Sequence, residues 1–368
     1  MNGKMKQKII PLHIILKRIT LSSIKKINDM ERRDFLKTTV GAGFALAGAN
    51  LLTSCNGGVN SGTYDAKGLP TTMFGNTGVR IPRIVMGLGS RFCHMDTNEE
   101  AYEMLNFALD NGLYYWDTAH TYDNTIALPS WKEKPAELVI SEVRVGEVLK
   151  TRRQEVFLST KVQAREPSEA MRQIELSLKR LNTDKLDMLK IHSVDSVDEV
   201  KQMSQKGNLI DIVMRMKEEK VTRFIGFSSH TGFDVANELL KHAPFDSMLI
   251  AMNQYSPRSS TRTDETVSFA KKKEMGYLLM KAVRPRETVE GLEATELVKY
   301  ALSLDGPDAL ALGMDSVGVV KSNLDILRHF QKLPPARMQE MAVNLAPFYR
   351  HENLPWMQKV YRDGNWKC

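Results

Sequence analysis

The feature that most constrains this chain is an alternation: eight short apolar runs, each followed by a segment of helical periodicity, succeed one another from residue 83 to residue 330. The runs lie at 83–88, 114–119, 156–162, 188–192, 224–228, 248–254, 277–283 and 309–313. Helical patterns occupy 99–110, 139–150, 167–181, 197–219, 233–242, 264–273, 292–304 and 317–330. Strands alternating with helices predict parallel βαβ units. Eight such units over roughly 250 residues are the usual size of a closed α/β barrel, the (β/α)8 or TIM barrel. No GxGxxG turn follows the first run, so the barrel is preferred to a doubly wound sheet. Two β-prone arms around Gly75-Asn-Thr-Gly78 predict an N-terminal hairpin. The barrel is expected over 71–332, followed by a helical C-terminal extension over 333–368 that includes Trp356 and Trp366 and covers a barrel end.

The formal net charge of +7 raises the question of nucleic acid, and its location answers it. Ten of the 51 Lys and Arg but only three of the 44 Asp and Glu fall in residues 1–55, leaving 41 of each sign in the rest. The folded part is formally neutral, with no basic stripe interleaved with aromatics, so no nucleic-acid partner is expected. Cys55, Cys93 and Cys368 are far apart and form no CxxC pair or His/Cys cluster, so neither a metal site nor an iron–sulfur cluster is expected. Cys93 and Cys368 are read as unpaired thiols.

The basic N-terminus is better read as an address. Glu31-Arg-Arg-Asp-Phe-Leu-Lys37 precedes a weakly apolar, Gly- and Ala-rich run at 38–52, which ends in Leu52-Thr-Ser-Cys55. A charged region, a short apolar region and small residues before a cleavage point make a secretory signal, and the run is too short and Gly-rich for a bilayer span of about 20 residues. The paired arginines resemble a twin-arginine signal, which engages the machinery that exports folded proteins, and Leu-Thr-Ser-Cys resembles a bacterial lipobox. Cys55 is then the lipidated residue, and the protein is expected outside the cytoplasm, periplasmic or at the cell surface, held to a membrane by a lipid anchor. Met30 stands directly before this signal as an alternative start. Residues 56–70, rich in Gly, Ser, Asn and Asp, suit a flexible tether.

Catalytic residues of such a barrel stand at the carboxyl ends of its strands. The second run ends in Trp116-Asp117-Thr-Ala-His-Thr-Tyr122, the third in Ser159-Thr-Lys161-Val162 and the fourth in Leu189-Lys-Ile-His192. A phenol is a poor proton donor or acceptor near neutrality until a neighbouring ammonium favours its phenolate. Lys161 is the expected source of that charge, Asp117 the group that keeps Lys161 ionised and aimed, Tyr122 the general acid and base, and His192 a hydrogen-bonding partner for a carbonyl. Taken singly, Asp117 reads equally as a cap, Lys161 as a solvated strand end, Tyr122 as loop packing and His192 as a structural histidine.

These residues, with the hairpin at 75–82, Ser141-Glu142, Thr160-Lys161, Ile225-Gly-Phe-Ser-Ser229 and Asn253-Gln254, resemble the aldo/keto reductase family in order and spacing over residues 73–326. The resemblance implies NAD(P)-dependent interconversion of a small carbonyl compound and its alcohol without metal, with Tyr122 exchanging the proton. It implies further that Ser228, Ser229 and Gln254 hold the nicotinamide carboxamide and that Asn323 contacts the adenine. Three departures bear on the cofactor and substrate. Met280 stands where many members stack a Tyr on the nicotinamide. Gly313 and Val319 stand where NADP-preferring members offer cations to the 2′-phosphate, leaving Ser316 and Lys321 as polar candidates and the choice of NADP or NAD open. An insertion at 123–140, containing Pro129, Trp131 and Pro135, reads as a flap over the site or as a surface loop. A second functional reading keeps the barrel as a dinucleotide-sensing or scaffolding lipoprotein.

Overall fold

The structure, a computed structural model, describes residues 64–125, 137–230, 233–252, 268–287 and 289–350, together with 353, 354 and 356. The chain divides into two units, Met1–Gly57 and Gly58–Cys368, and every described residue lies in the second. The signal region with Cys55, most of the tether, the interior of the insertion with Trp131, and Gln254, Trp366 and Cys368 lie outside the described residues.

Eight parallel strands close into a barrel. In chain order they are β3 (Ile84–Gly87), β4 (Tyr115–Asp117), β5 (Phe157–Val162), β6 (Leu186–Ile191), β7 (Thr222–Ser229), β8 (Ser247–Ala251), β9 (Gly276–Met280) and β10 (Ala309–Gly313). Each pairs with the next, and β10 returns to β3 through Leu310↔Ile84 to Gly313↔Gly87. All six residues of β5 and all six of β6 are buried, because side chains fill the barrel on one face and helices cover the other. That is why these strands show no buried-and-exposed alternation, and why the lysines they carry, Lys161 and Lys190, are buried with the rest.

The connecting helices are α1 (Ser90–Cys93), α2 (Asn98–Asp110), α3 (Ser141–Arg152), α4 (Pro167–Arg180), α5 (Val197–Met203), α6 (Leu209–Glu218), α7 (Phe233–His242), α8 (Ala294–Ser303) and α9 (Val317–Arg328), with residues 268–272 also helical. Local chemistry sets their starts. Thr97 caps α2 by accepting from the Glu100 N–H at 3.2 Å while its hydroxyl donates to the Glu100 carboxylate, and Pro167 opens α4 behind the Glu166 cap. The single helix expected over 197–219 is two, α5 and α6. The chain breaks at Ser204-Gln-Lys-Gly207, where Gly207 takes φ +82°, a left-handed conformation that an α-helix excludes.

The expected hairpin forms from β1 (Thr71–Met73) and β2 (Arg80–Pro82), paired antiparallel. It carries Phe74 to the N-terminal mouth, where the ring meets Tyr115 edge-on at 5.8 Å and lies against Gly276, the first residues of β4 and β9. Asp187 ties the same end together, accepting from the Leu158 N–H, Arg153, Arg223 and the Tyr64 hydroxyl. Beyond the eighth unit, α10 (Pro335–Leu345) lies against α8 through an Arg337–Glu296 ion pair, and Trp356 stands 5.6 Å from the Lys281 ammonium and 6.3 Å from the His230 ring. The extension therefore reaches the carboxyl mouth of the barrel, the end expected to carry chemistry.

Candidate active site

Asp117 ends β4, Lys161 lies near the end of β5, and His192 follows β6, so three neighbouring strands deliver them to one mouth. Lys161 bonds Asp117 at 2.6 Å and donates to the Thr118 carbonyl at 2.8 Å and the Tyr122 hydroxyl at 3.3 Å. Its ammonium also lies 4.6 Å from the centre of the Tyr122 ring, and His192 meets that ring edge-on at 5.4 Å. Asp117, Lys161 and His192 are buried while Tyr122 is half-exposed, so the phenol is the group of this set that faces outward. The four residues chosen from strand ends are thus brought together.

The polypeptide locks this arrangement from several sides. The Tyr122 carbonyl accepts from the Ser141 N–H at 3.0 Å, and the ring lies against Gly89, where even a methyl carbon would stand 3.4 Å away. Arg165 donates to the carbonyls of His192 and Ser193 at 2.6 and 3.0 Å, fixing the loop after β6. Ser141 and Glu142, read as part of the functional pattern, prove to be fasteners: the Ser141 hydroxyl donates to the Leu88 carbonyl, and Glu142 accepts from Thr160 at 2.6 Å. His120 stands apart from this set: its ring faces Ser177 of α4 at 3.1 Å. Burial, followed by the charges of Arg180 and Arg172, holds it down to about 4, a neutral imidazole at physiological pH.

One group was passed over by the sequence reading. Lys190, in register with Lys161, bonds the other oxygen of Asp117 at 2.6 Å and donates to Ser159 at 2.9 Å and to the Tyr115 hydroxyl at 3.2 Å. Asp117 therefore lies between two ammonium groups. Burial opposes its charge, but Lys161 and Lys190 outweigh burial and hold its carboxyl well below the usual range. The signal was present: Lys190 interrupts the apolar Leu186–Ile191 strand and lies two residues before His192, on the same face.

The residues assigned to the cofactor fall into two groups. Ser228 and Ser229 end β7, and Met280 ends β9, all at the mouth that holds Tyr122. Ser228 accepts from the Ser193 N–H at 2.9 Å, which leaves its hydroxyl hydrogen to donate, and Ser229 is 3.5 Å from Asp195. Asp195 also accepts from the His230 backbone N–H at 2.8 Å, a pair that no motif in the chain singles out. Farther out, a cavity of about 140 Å³ opens where β10 meets α9, lined among others by Arg91, Val283, Arg286, Gly313, Asp315, Val319 and Asn323. Asn323, the expected adenine contact, is among the residues that line it. Ser316 caps α9 by accepting from the Val319 N–H at 3.2 Å and lies next to the cavity residue Asp315 in the chain. Lys321 does not serve the cavity; its ammonium lies over the Phe107 ring at 5.4 Å. The cations come instead from Arg91 of α1 and Arg286 of the turn Arg284–Glu287. Arg91 lies across Gly313, its Cδ only 3.3 Å from where a Cβ would stand, and it pairs with Asp315 at 3.0 Å and Glu287 at 3.3 Å. Loss of side chains at Gly313 and Val319 therefore does not strip the cavity of positive charge.

The class of protein so defined is a (β/α)8 barrel with a lysine–carboxylate pair set behind a tyrosine and a histidine at its carboxyl mouth. Residues 83–284 match the aldo/keto reductase family model, and the chain belongs to that family. Among curated relatives it is 30% identical over 142 residues to the uncharacterized oxidoreductase YrpG of Bacillus subtilis (strain 168), covering 34% of this chain and 40% of that one. It is 26% identical over 188 residues to aldo-keto reductase family 1 member C18 of Rattus norvegicus, covering 46% and 54% of the two chains. The matches span about half the length of these relatives. The solved holo form of the aldo-keto reductase AKR11C1 from Bacillus halodurans is 20% identical, with a TM-score of 0.57 over 76% of this chain and 96% of that one. The aldo/keto reductase from Klebsiella pneumoniae in complex with NADP and acetate is 17% identical, with a TM-score of 0.58 over 80% and 98%. Likeness at these identities is likeness of fold.

Proposed function

We propose that this protein interconverts a small carbonyl compound and its alcohol with NADP or NAD as hydride partner, Tyr122 exchanging the proton. The observation that carries this reading is the contact of the Lys161 ammonium with the Tyr122 hydroxyl at 3.3 Å, made while Asp117 holds the same ammonium from behind at 2.6 Å. When bound, the nicotinamide supplies or accepts the hydride. Tyr122 gives its proton to the carbonyl oxygen in reduction and takes it back in oxidation, and Lys161 steadies the phenolate between the two. His192, edge-on to the phenol, offers a second hydrogen bond to the same oxygen.

The residues present suit a dinucleotide. Two guanidiniums and the start of the twelve-residue helix α9 face the cavity at β10, a match for a polyanion. Arg91, Arg286, Ser316 and Asn323 would hold its adenosine end, and Ser228, Ser229, Met280 and Gln254 its nicotinamide end. Two residues beyond Lys161, Gln163 is buried with neither atom of its side-chain amide hydrogen-bonded. A buried amide gains by finding a partner, which favours a hydroxylated substrate such as a sugar or polyol. The protein acts outside the cytoplasm, tethered through Cys55 and carrying its dinucleotide across with the folded chain.

Turnover of a panel of aldehydes, ketones and sugars with NADH and NADPH tests the reading. Tyr122→Phe should lower kcat at least hundredfold with little change in fold. Equal turnover in the two proteins would remove Tyr122 from the proton-exchanging role, and none in either would favour the dinucleotide-sensing or scaffolding lipoprotein.

A further inference from the structure

We propose that Asp315 is a specificity-determining residue of the cofactor cavity: by holding the Arg91 guanidinium that a 2′-phosphate would need, it selects NAD over NADP. This rests on the reading of the cavity at β10 as the adenosine site of a dinucleotide.

Arg91 arrives at the cavity already engaged. Its stem crosses Gly313, with Cδ and Cγ 3.3 and 3.7 Å from where a Cβ would stand, so a side chain at 313 would push it off this path. The guanidinium then bonds Asp315 through Nη1 at 3.0 Å and Glu287 through Nη2 at 3.3 Å. These carboxylates come from two loops, Asp315 from just beyond the end of β10 and Glu287 from the turn that follows β9. Glu287 also holds Arg284 at 2.6 Å, so its charge is divided, and Asp315 makes the shorter bond to Arg91. The side chains of Arg91 and Asp315 are only 21% and 31% exposed, so solvent and salt screen the pair less than they would one standing in open water.

The two dinucleotides bring different groups to this pair. At the 2′ position NAD offers a hydroxyl, which can donate to a carboxylate and leaves an ion pair intact. NADP offers a phosphate carrying about −1.5 to −2 charges at neutral pH. To gain Arg91 that phosphate must draw it from Asp315 and then stand beside the carboxylate it has displaced, and like charges at such range oppose binding. The start of α9 would otherwise favour the phosphate, but Asp315 lies immediately before the cap Ser316 and sets a negative charge at that same helix end. Arg286, the other guanidinium lining the cavity, gives no preference, since both dinucleotides carry a diphosphate. Lys321 does not make up the difference, because its ammonium lies over the Phe107 ring. The cavity thus presents its nearest cation together with a counter-ion, which suits a neutral ribose.

Binding decides the matter without turnover. NAD and NADP are titrated calorimetrically into the full chain, stripped of bound nucleotide, as wild type, Asp315→Asn and Asp315→Ser. Asp325→Asn serves as a control for charge at a distance, since Asp325 stands in the last turn of α9 and pairs with His329. The expected result is a wild type that binds NAD roughly tenfold or more tighter than NADP, with either change at Asp315 closing that gap about tenfold through tighter NADP binding and Asp325→Asn leaving it as it was. A wild type that prefers NADP, or an unchanged ratio in both folded Asp315 variants, overturns the proposal, as does an equal shift in Asp325→Asn. The expected pattern in a protein that turns over no carbonyl or alcohol would sink the oxidoreductase reading and leave the selection by Asp315 standing. Binding of neither dinucleotide to any of the proteins would sink the dinucleotide reading and the role of Asp315 with it.

Discussion

A guanidinium can reach the same point in space from a different place in the sequence, and Arg91 does so. It lies over Gly313, occupying space that a side chain there would have filled, and its charge is shared with Asp315 and Glu287. A 2′-phosphate entering this cavity competes with those carboxylates for Arg91, whereas the bare ribose of NAD does not. Arg91→Ala should therefore weaken NADP binding roughly tenfold more than NAD binding, about 1.4 kcal/mol of selectivity, as read by titration calorimetry. An equal loss for both dinucleotides would show that Arg91 does not touch the phosphate. Arg91 escaped the sequence reading because cations were sought at positions 313, 319 and 321, and nothing in a short loop helix marks one arginine as facing β10. The relay was legible for the opposite reason: Asp117, Lys161 and His192 are polar residues at the ends of apolar strands, where burial without function is costly. Lys190 carries the same signal two residues before His192.

The elements were legible where both faces are covered and blurred where the chain turns. The strand expected at 309–313 appears as Ala309–Gly313, whereas that expected at 248–254 ends, as a strand, at Ala251. The helix pattern at 197–219 ran across Gly207 because its apolar spacing continues through the break, and only the backbone shows the left-handed residue between α5 and α6. The hairpin is the element whose role the sequence could not supply. Phe74 closes the N-terminal mouth by lying on Gly276, and a methyl group at that position would overlap the ring. Gly276→Ala should lower the stability of the folded chain by about 1–3 kcal/mol, read by urea unfolding, while leaving the dinucleotide cavity and the relay at the other end unaltered. Wild-type stability in this variant would mean that the hairpin does not seal the barrel.

For the whole molecule the open matter is where it works. The signal region and Cys55 carry the reading that the folded chain is exported and tethered, and the test belongs to cells rather than to the barrel. Cys55→Ala should move the exported protein from the membrane fraction to the soluble one, and replacing Arg32 and Arg33 with lysine should keep it in the cytoplasm. Retention of Cys55→Ala on the membrane after export would remove the lipid anchor from the account. No helix among the described residues is long and apolar enough to cross a membrane.

The insertion is pinned at its base. Asp123 pairs with Ile140, the Asn124 side chain bonds the Glu137 carbonyl and the Val139 N–H, and Ser141 fastens the Tyr122 backbone immediately outside the pair. The chain leaves and rejoins the barrel at neighbouring points, so a gain or loss of residues within 126–136 would be absorbed by this clasp and need not displace Tyr122 or the strands behind it.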